Sequence, residues 1–191
     1  GIFFGQTVYL QEMEIDIPAF MQAVEDVLNN SEKKLTDDEM QKIINIYQKK
    51  EKEEQITKST NSKVDGEKFL AENRNNDGVI VLASGLQYKI IKNGEGKKPL
   101  IDSRVIVHYR GTLIDGTEFD SSYARGEPIE LGLNQVIKGW QETLQLMSVG
   151  SKWQVFVPSE LAYGESGAGR AIGPNSTLIF DIELLSIKNP S

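Results

Sequence analysis

The sequence contains no cysteine and a single histidine, His108. The lack of cysteine excludes cysteine nucleophiles, disulfide scaffolds and Cys/His zinc sites. A Ser-His-Asp triad would have to use His108, which lies in the strand-like run VIVHY. Alternation along that strand places Val105, Val107 and Tyr109 on one face and His108 on the other. We therefore interpret His108 as an exposed or half-buried strand residue, with no serine placed to make it catalytic.

The sequence also lacks an excess of positive charge and any long apolar run. Its formal net charge is −7 at pH 7, which argues against nucleic-acid binding because phosphate recognition needs a basic surface. No stretch approaches the roughly 18 apolar residues of a membrane-spanning helix, so we expect no transmembrane segment. The chain begins with Gly1 rather than Met and runs directly into apolar sequence. We interpret this as a missing natural N-terminus, through either removal of a signal peptide or trimming.

Glycine is scarce in the first part of the chain and frequent in the second. Residues 1–83 contain four of the 17 glycines, with none between Gln6 and Asp65, and residues 84–191 contain the other thirteen. Charge divides at the same place, with 10 Lys+Arg against 16 Asp+Glu in the first part and 11 against 12 in the second. A glycine-poor stretch whose one proline is Pro18 predicts helix. The sequence therefore predicts two units.

Three helices are predicted within residues 1–47. Residues 2–13 form a short apolar candidate, and Asp16 can cap a second helix that carries Pro18 in its first turn. The third helix is predicted to start near residue 36, where Thr36 and Glu39 form a capping box. Large apolar side chains follow helical spacing on the second and third helices: Phe20, Val24, Val27, Leu28, Met40, Ile43, Ile44 and Tyr47.

This apolar set is too small to support an independent core. A segment of about 35–45 residues without disulfides needs oligomerisation or another surface in order to fold. We therefore predict that residues 1–47 form a homodimer with a second copy of the chain. The alternative is that these helices pack on the C-terminal unit of their own chain.

Residues 48–78 are strongly polar, and two interpretations remain open for them. One is a solvated linker. The other, which we favour, is a long exposed helix that runs to about Asn76, with Gly78 just past its end. At ~1.5 Å per residue, a helix of roughly 40 residues would reach about 60 Å. The predicted function of such a stalk is spacing.

From residue 84 onward, short β-rich runs alternate with turn signals. The runs are GLQYKII, SRVIVHYRGTL, EPIELGL, KWQVFVP and TLIFDIELLSI. Asp115-Gly116 lies between apolar stretches, which is the strongest short hairpin signal. Residues 136–147 have helical spacing, with one apolar face formed by Val136, Trp140, Leu144 and Met147. Residues 84–191 therefore predict an α+β fold, a mostly antiparallel sheet wrapped around one short helix.

Aromatic and apolar residues recur through residues 105–180 in blocks separated by glycine turns. The blocks include VIVHYRGTL, TEFDSS, NQVIKGWQ, ELAYGESG and TLIFDIEL. Their order and spacing resemble the FKBP family of peptidyl-prolyl cis/trans isomerases, over roughly residues 84–188. The resemblance implies an enzyme that accelerates isomerisation of X-Pro bonds in proline-containing polypeptides. The reaction implied needs no cofactor and no metal.

Carried onto this sequence, the resemblance implies a catalytic set in one pocket: Tyr109, Phe119, Asp120, Trp140, Tyr163 and Phe180. Trp140 would form the floor beneath the prolyl ring, with Tyr109, Phe119 and Phe180 as walls. Asp120 would orient polar groups and interact with the twisting carbonyl. A twisted amide has less charge separation than a planar one, so a dry aromatic pocket favours it without acid–base chemistry.

The resemblance also implies a substrate-binding set: Arg125, Val136, Ile137 and Ile172. Val136 and Ile137 would form the pocket rim. The Ile137 backbone N–H and the Tyr163 hydroxyl would donate hydrogen bonds to substrate carbonyls. Arg125 is spaced to pair with Asp120 or Tyr109.

Residues 163–174 would form a flap over the pocket, with Ile172 touching the ligand. Ala171 and Gly173 stand where many family members have a larger apolar residue and a proline, which bears on pocket closure and inhibitor affinity. The IGPN sequence of this flap also occurs in the macrophage infectivity potentiator (Mip) branch of bacterial FKBPs. Three N-terminal stretches resemble the first half of that branch: IDIPAF, LTDDEMQ and VDGEKFLAENRNNDGVIVLASGLQYKI.

The Mip-like resemblance has implications for partners and location. It implies a V-shaped homodimer joined through the N-terminal helices, with chaperone-like folding assistance, and binding of macrolide FKBP inhibitors. It implies a cell-envelope location, in the periplasm or at the outer membrane, with the cytoplasm as the alternative, and in pathogens a role in host infection. The competing hypothesis is a non-catalytic chaperone or host-interaction module whose paired pockets hold partner segments. The complete aromatic set favours the enzyme, and one dimer could do both.

Overall fold

The structure, a computed structural model, describes residues 17–29 and 36–188. The chain divides into two compact units between Lys52 and Glu53. The helix predicted over residues 2–13 lies outside the described residues, as does Asp16. Within the described ranges, no helix is both long enough and apolar enough to cross a membrane.

Helix α1, Ile17–Leu28, lies in the first unit, and helix α2, Asp37–Asn73, begins there. Pro18 is the second residue of α1, where a missing N–H costs nothing because the first turn has no intrahelical acceptor for it. Several large apolar side chains of these helices are exposed on the single chain: Met21, Leu28, Ile43, Ile44 and Ile46. The first unit therefore presents apolar side chains on its surface.

The C-terminal part of α2, from Glu53, belongs to the second unit and is not a free stalk. The favoured long helix is present and most of its residues are exposed, but it ends at Asn73 rather than near Asn76, and from Glu53 onward it is not exposed on all sides. One stripe of α2 is buried or half-buried: Ser59, Ser62, Gly66, Phe69, Leu70 and Asn73. Half of these residues are small, so a pattern of large apolar side chains does not reveal the stripe.

The second unit contains a seven-stranded antiparallel sheet in the order β1-β2-β6-β7-β3-β4, with β5 paired to β3. Two helices, α3 Ser122–Arg125 and α4 Lys138–Leu146, accompany it. The Asp115-Gly116 turn joins β3 to β4, as the hairpin signal predicts. This arrangement confirms the α+β fold class. The strands are β1 Val79–Val81, β2 Gln87–Lys92, β3 Arg104–Leu113, β4 Glu118–Ser121, β5 Ile129–Gly132, β6 Lys152–Val157 and β7 Leu178–Lys188.

The apolar core lies between the inner face of the sheet and α4. Alternate residues of three central strands are fully buried there: Val105, Val107, Val155, Val157, Leu178, Ile182 and Leu184. Trp140 and Leu144 of α4, and Met147 directly after its end, belong to the same core cluster. Gly139 allows the close approach, because a Cβ there would lie 2.5 Å from Val157 Cγ1.

The outer face of β2 and β6 packs against the C-terminal part of α2. Phe156 and Gln87 are register partners on that face, and both are buried. The Phe69 ring lies 5.9 Å from the Phe156 ring. Asn73 Nδ2 donates to Gln87 Oε1 at 2.9 Å, and Gln87 Nε2 donates to the Leu70 carbonyl at 2.8 Å. These contacts close a buried polar and aromatic seam between helix and sheet.

The compact second unit therefore begins well before residue 84, where the sequence predicts the start of the C-terminal domain. Strand β1 pairs with β2 through three residue pairs, starting with Val79 opposite Lys89. Removal of α2 would expose Phe156 to water. The sequence places the start of this unit too late because β1 has only three residues and half of the buried stripe of α2 consists of small residues.

Candidate active site

A cavity of about 280 Å³ opens beside the sheet at the start of α4. All six residues predicted to be catalytic line it, together with Val136 and Ile137 from the predicted binding set. Three further residues were not predicted: Ile129 and Leu131 on β5, and Gln135. The two β5 residues alternate along the strand, so the period-2 pattern of EPIELGL could have revealed them. The lining residues are Tyr109, Phe119, Asp120, Ile129, Leu131, Gln135, Val136, Ile137, Trp140, Tyr163 and Phe180.

The aromatic side chains of the cavity meet edge to face. The Trp140 ring lies 5.1 Å from Tyr109 and 5.2 Å from Phe180, with interplanar angles of 82° and 83°. Phe119 meets Phe180 at 5.6 Å and 87°. Edge-to-face geometry brings the positive edge of one ring to the negative face of another, so these contacts fix ring orientation. Gly111 makes room, because a Cβ there would lie 2.6 Å from the Phe119 ring.

A polar network lies at one edge of the cavity and joins Tyr109, Asp120 and Arg125. The Tyr109 hydroxyl donates to one Asp120 carboxylate oxygen, and Arg125 Nη1 donates to the other. Arg125 Nη2 also donates to the Tyr109 hydroxyl at 3.0 Å. The sequence offered Asp120 or Tyr109 as the partner of Arg125, and the structure pairs it with both. Arg125 reaches them because Ser121 caps the single turn of α3, accepting from the Ala124 N–H at 3.2 Å.

The pKa of Asp120 is lowered and the pKa of Tyr109 is raised in this network. Burial opposes ionisation of Asp120, but hydrogen bonds from Tyr109 and Arg125 outweigh it and lower the pKa of the carboxyl. Burial, followed by the hydrogen bond to Asp120, raises the pKa of the Tyr109 hydroxyl. At neutral pH the cavity edge therefore carries an ionised Asp120 and a protonated Tyr109.

One serine does lie beside His108, the single histidine of the chain. Ser122 Oγ lies 2.9 Å from His108 Nδ1. Ser122 is fully buried, and its hydroxyl accepts from the Tyr109 N–H at 2.8 Å and lies 3.1 Å from the Tyr109 carbonyl, to which it can donate. The hydroxyl thus anchors the backbone of Tyr109 and is not placed as a nucleophile. His108 itself is half-buried, as expected, and its ring stacks on Tyr123 at 4.6 Å.

The comparisons with known proteins agree with this site. The family model described as "FKBP-type peptidyl-prolyl cis-trans isomerase" matches residues 95–185. A second, "Domain amino terminal to FKBP-type peptidyl-prolyl isomerase", matches residues 1–90. The chain is 43% identical to the outer membrane protein MIP of Legionella longbeachae, over 98% of this chain and 82% of that protein. The chain belongs to the FKBP family of peptidyl-prolyl cis-trans isomerases.

The match to MIP places this FKBP-type isomerase in the Mip-like branch, and FkpA proteins are also similar to it. It is 46% identical to the FKBP-type peptidyl-prolyl cis-trans isomerase FkpA of Aeromonas hydrophila, over 100% of this chain and 73% of that protein. The crystal structure of FkpA from Escherichia coli superposes with a TM-score of 0.74 at 34% identity. That match covers 98% of this chain and 91% of the FkpA chain.

The peptide unit between Val136 and Ile137 is held in place at the rim of the FKBP pocket. Gln141 Nε2, one turn into α4, donates to the Val136 carbonyl at 2.8 Å. In a trans peptide the carbonyl and the next N–H point to opposite sides, so this bond also sets the direction of the Ile137 N–H. Sequence reasoning missed Gln141, because a side chain that bonds to backbone leaves no periodic signal.

Two backbone hydrogen bonds within the flap, residues 163–174, join Ala168 and Ile172. The Ala168 N–H donates to the Ile172 carbonyl at 2.8 Å, and the Ile172 N–H donates back at 3.2 Å. Ile172 is buried in the apolar core and is not among the residues that line the cavity, whereas the sequence placed it against the ligand. Tyr163 does line the cavity and is 41% exposed.

Proposed function

We propose that the cavity catalyses prolyl isomerisation in protein substrates by selective binding of the twisted amide. The barrier to rotation about a peptide bond is ~18–20 kcal/mol because resonance holds it planar. Each ~1.4 kcal/mol by which the site favours the twisted form gives a tenfold rate increase. The observation that carries this proposal is the buried set Tyr109, Trp140 and Phe180 facing a single ionised carboxylate, Asp120.

The residue roles follow from this arrangement. Trp140 and its edge-on neighbours exclude water and hold the prolyl ring, which removes the solvent that stabilises the planar, more polar amide. Asp120, held by Arg125, places fixed charge beside the rotating carbonyl. The Ile137 N–H and the Tyr163 hydroxyl hold the flanking carbonyls. The Tyr163 hydroxyl has no hydrogen-bond partner among the described residues, which supports its role as a donor to substrate.

The deciding experiment is a protease-free assay of cis/trans exchange in an X-Pro peptide. We expect the full chain to accelerate exchange and a macrolide FKBP inhibitor to abolish the acceleration by occupying the same cavity. Trp140→Leu with retained secondary structure serves as the matched inactive control. Acceleration that survives both the macrolide and Trp140→Leu would contradict the proposed site.

We infer that the protein acts as a homodimer through its first unit. The exposed apolar side chains of α1 and α2 support this, since a second copy would remove them from water. We expect Ile44→Asp to convert the dimer to a monomer in sedimentation equilibrium, without loss of peptide turnover. Ile56→Asp is the control, because Ile56 is on the same helix and similarly exposed, at 56% against 47% for Ile44.

A wild-type protein that sediments as a monomer at micromolar concentration would contradict this inference. Refolding of a large protein substrate distinguishes chaperone-like assistance from catalysis. We expect Ile44→Asp to slow that refolding while leaving peptide exchange unchanged, because two linked sites hold one client more tightly than one. Equal refolding by dimer and monomer would show that assembly does not serve clients.

We also infer a cell-envelope location. The support is the name of the Legionella longbeachae relative, which is an outer membrane protein. Fractionation of the native host followed by immunoblotting tests this directly. Recovery of the protein with cytoplasmic markers alone would contradict it.

A further inference from the structure

The two ends of the flap are joined beside the active site. The Asn175 N–H donates to the Gly164 carbonyl at 2.8 Å, which closes the loop that begins at Tyr163. Gly164 directly follows Tyr163, the one flap residue that lines the cavity. The position of Tyr163 therefore depends on how firmly Asn175 is held.

Asn175 is held from outside the flap, by helix α2. Its Nδ2 donates to Ser59 Oγ at 2.8 Å, a contact between residues 116 positions apart in sequence. The backbone of Asn175 has φ 55°, the left-handed region, which asparagine tolerates better than most residues. An asparagine here therefore meets two demands: a positive φ and an amide that reaches the helix.

The helix is itself fixed against the sheet close to this contact. Gly66 lies against Thr177, two residues after Asn175, and a Cβ at Gly66 would lie 3.1 Å from Thr177 Cβ and overlap its hydroxyl. Further along α2, the Phe69–Phe156 and Asn73–Gln87 contacts hold the helix to the outer face. Ser59 thus contacts the flap from a helix that is packed on the sheet.

Tyr163 has no comparable support of its own. Its side chain is 41% exposed, and no described residue forms a hydrogen bond with its hydroxyl. Its placement over the cavity is consequently set by the backbone at residues 163–164, which the Asn175–Gly164 bond restrains.

We propose that helix α2 positions the flap of the isomerase site through Ser59 and Asn175, so that Tyr163 stays over the bound prolyl segment. Ser59 and Asn175 are positioning residues and touch no substrate. The proposal rests on the role of Tyr163 given above. A loosened flap weakens the hold on planar and twisted amide alike, so the effect belongs in KM and in inhibitor affinity rather than in kcat.

The test uses the full chain with Ser59→Ala and Asn175→Gly. Glycine preserves the positive φ while removing the amide, so the second variant does not strain the backbone. We expect each variant to raise KM for an X-Pro peptide about two- to tenfold, the range for loss of one hydrogen bond, with kcat nearly unchanged. The double variant should be no worse than either single one, because both remove the same contact.

Two matched variants control the test. Thr60→Ala alters the next residue of α2, which is exposed and bonds only to the Ile56 carbonyl of its own helix, so KM should stay at the wild-type value. Ser59→Thr keeps the hydroxyl and should retain most of the affinity. Wild-type KM in both Ser59→Ala and Asn175→Gly, or additive effects in the double variant, would overturn the proposal.

Amide hydrogen exchange separates this proposal from the role of Tyr163. In Ser59→Ala we expect faster exchange of the Asn175 N–H, with unchanged exchange in the central strands. If Tyr163→Phe leaves KM unchanged, the donor role of Tyr163 fails, and the exchange rate at Asn175 alone decides whether α2 holds the flap. Unchanged exchange at Asn175 in Ser59→Ala would overturn the tether whatever the kinetics.

Discussion

The two faces of the sheet are covered in different ways. The inner face meets α4 with large apolar side chains, and its contacts also form the walls of the cavity. The outer face meets α2 through the Phe69–Phe156 ring contact and through small and polar side chains, among them Gly66, Asn73 and Gln87. Packing on the inner face is stabilised mainly by burial of apolar area, and this free energy scales with the surface removed from water. The outer face depends on a few contacts whose geometry must be right, so single substitutions there test it directly.

The largest effect is expected at the cavity edge. Asp120→Leu should lower kcat/KM for an X-Pro peptide at least tenfold, or ~1.4 kcal/mol of transition-state stabilisation, because it removes the charge beside the rotating carbonyl. Steady-state kinetics measures the loss. His108→Ala is the control and should change kcat/KM less than about twofold, since the Ser122–Tyr109 bonds remain. The opposite result would require a histidine-based mechanism.

Gly66→Ala should destabilise the protein, although alanine is the better helix former. Propensity alone predicts a gain of about 1 kcal/mol, whereas overpacking against Thr177 costs about 1–3 kcal/mol, so the sign of the change decides between them. Urea unfolding followed by circular dichroism measures it. Thr177→Ala in the same chain should recover part of the loss, because it removes the hydroxyl that the new methyl meets. Net stabilisation by Gly66→Ala would mean that α2 is not packed on the sheet.

Asn73→Ala should cost about 1 kcal/mol of unfolding free energy, because Gln87 loses its buried partner. Asn75→Ala is the matched control: Asn75 is exposed, and its amide donates only to the Ala71 carbonyl one turn earlier. The two variants are compared by urea midpoint at constant slope. Equal midpoints would show that the seam on the outer face adds nothing to stability.

The smallest effect is expected from pH. Because the pKa of Asp120 is lowered, its carboxylate stays ionised down to a pH below about 3.9, the ordinary pKa of an aspartate. Because the pKa of Tyr109 is raised, its phenol stays protonated up to a pH above about 10, the ordinary pKa of a tyrosine. We therefore expect a flat kcat/KM profile from about pH 5 to 9. The stabilisation that Asp120 adds is present above its unfolded pKa and is lost as pH falls through the folded pKa. A clear change of kcat/KM inside that range would contradict a site whose ionisable groups are Asp120 and Tyr109.

Sequence patterns were sufficient for the inner face and for the aromatic part of the cavity lining. Period-2 runs and glycine turns locate the strands, and the FKBP-like blocks name the aromatic residues that the structure brings together around the cavity. They were insufficient where a side chain works through a single bond. Ser122 and Gln141 anchor backbone groups near the site, and such contacts carry no periodicity.

Helix α2 shows even more clearly that sequence patterns miss contacts made by single small or polar residues. Ser59 is half-buried and Gly66 buried, each by proximity to one partner, so hydropathy classes them with the exposed residues around them. The domain boundary predicted at residue 84 fails for this reason. A stripe of small residues at spacings of three and four on an otherwise charged helix is the signal that could have located the contact.

The two tryptophans of the chain give the protein a built-in optical probe. Trp140 lines the cavity, whereas Trp153 stacks on Tyr88 at 4.3 Å with a 7° angle between the rings. Both indole N–H groups are buried without a partner among the described residues, an apolar setting that shifts tryptophan emission to shorter wavelength. In a Trp153→Phe chain, all remaining indole emission would come from Trp140 in the cavity lining. Occupancy of the site could then be followed in real time, with no label and no coupled reaction.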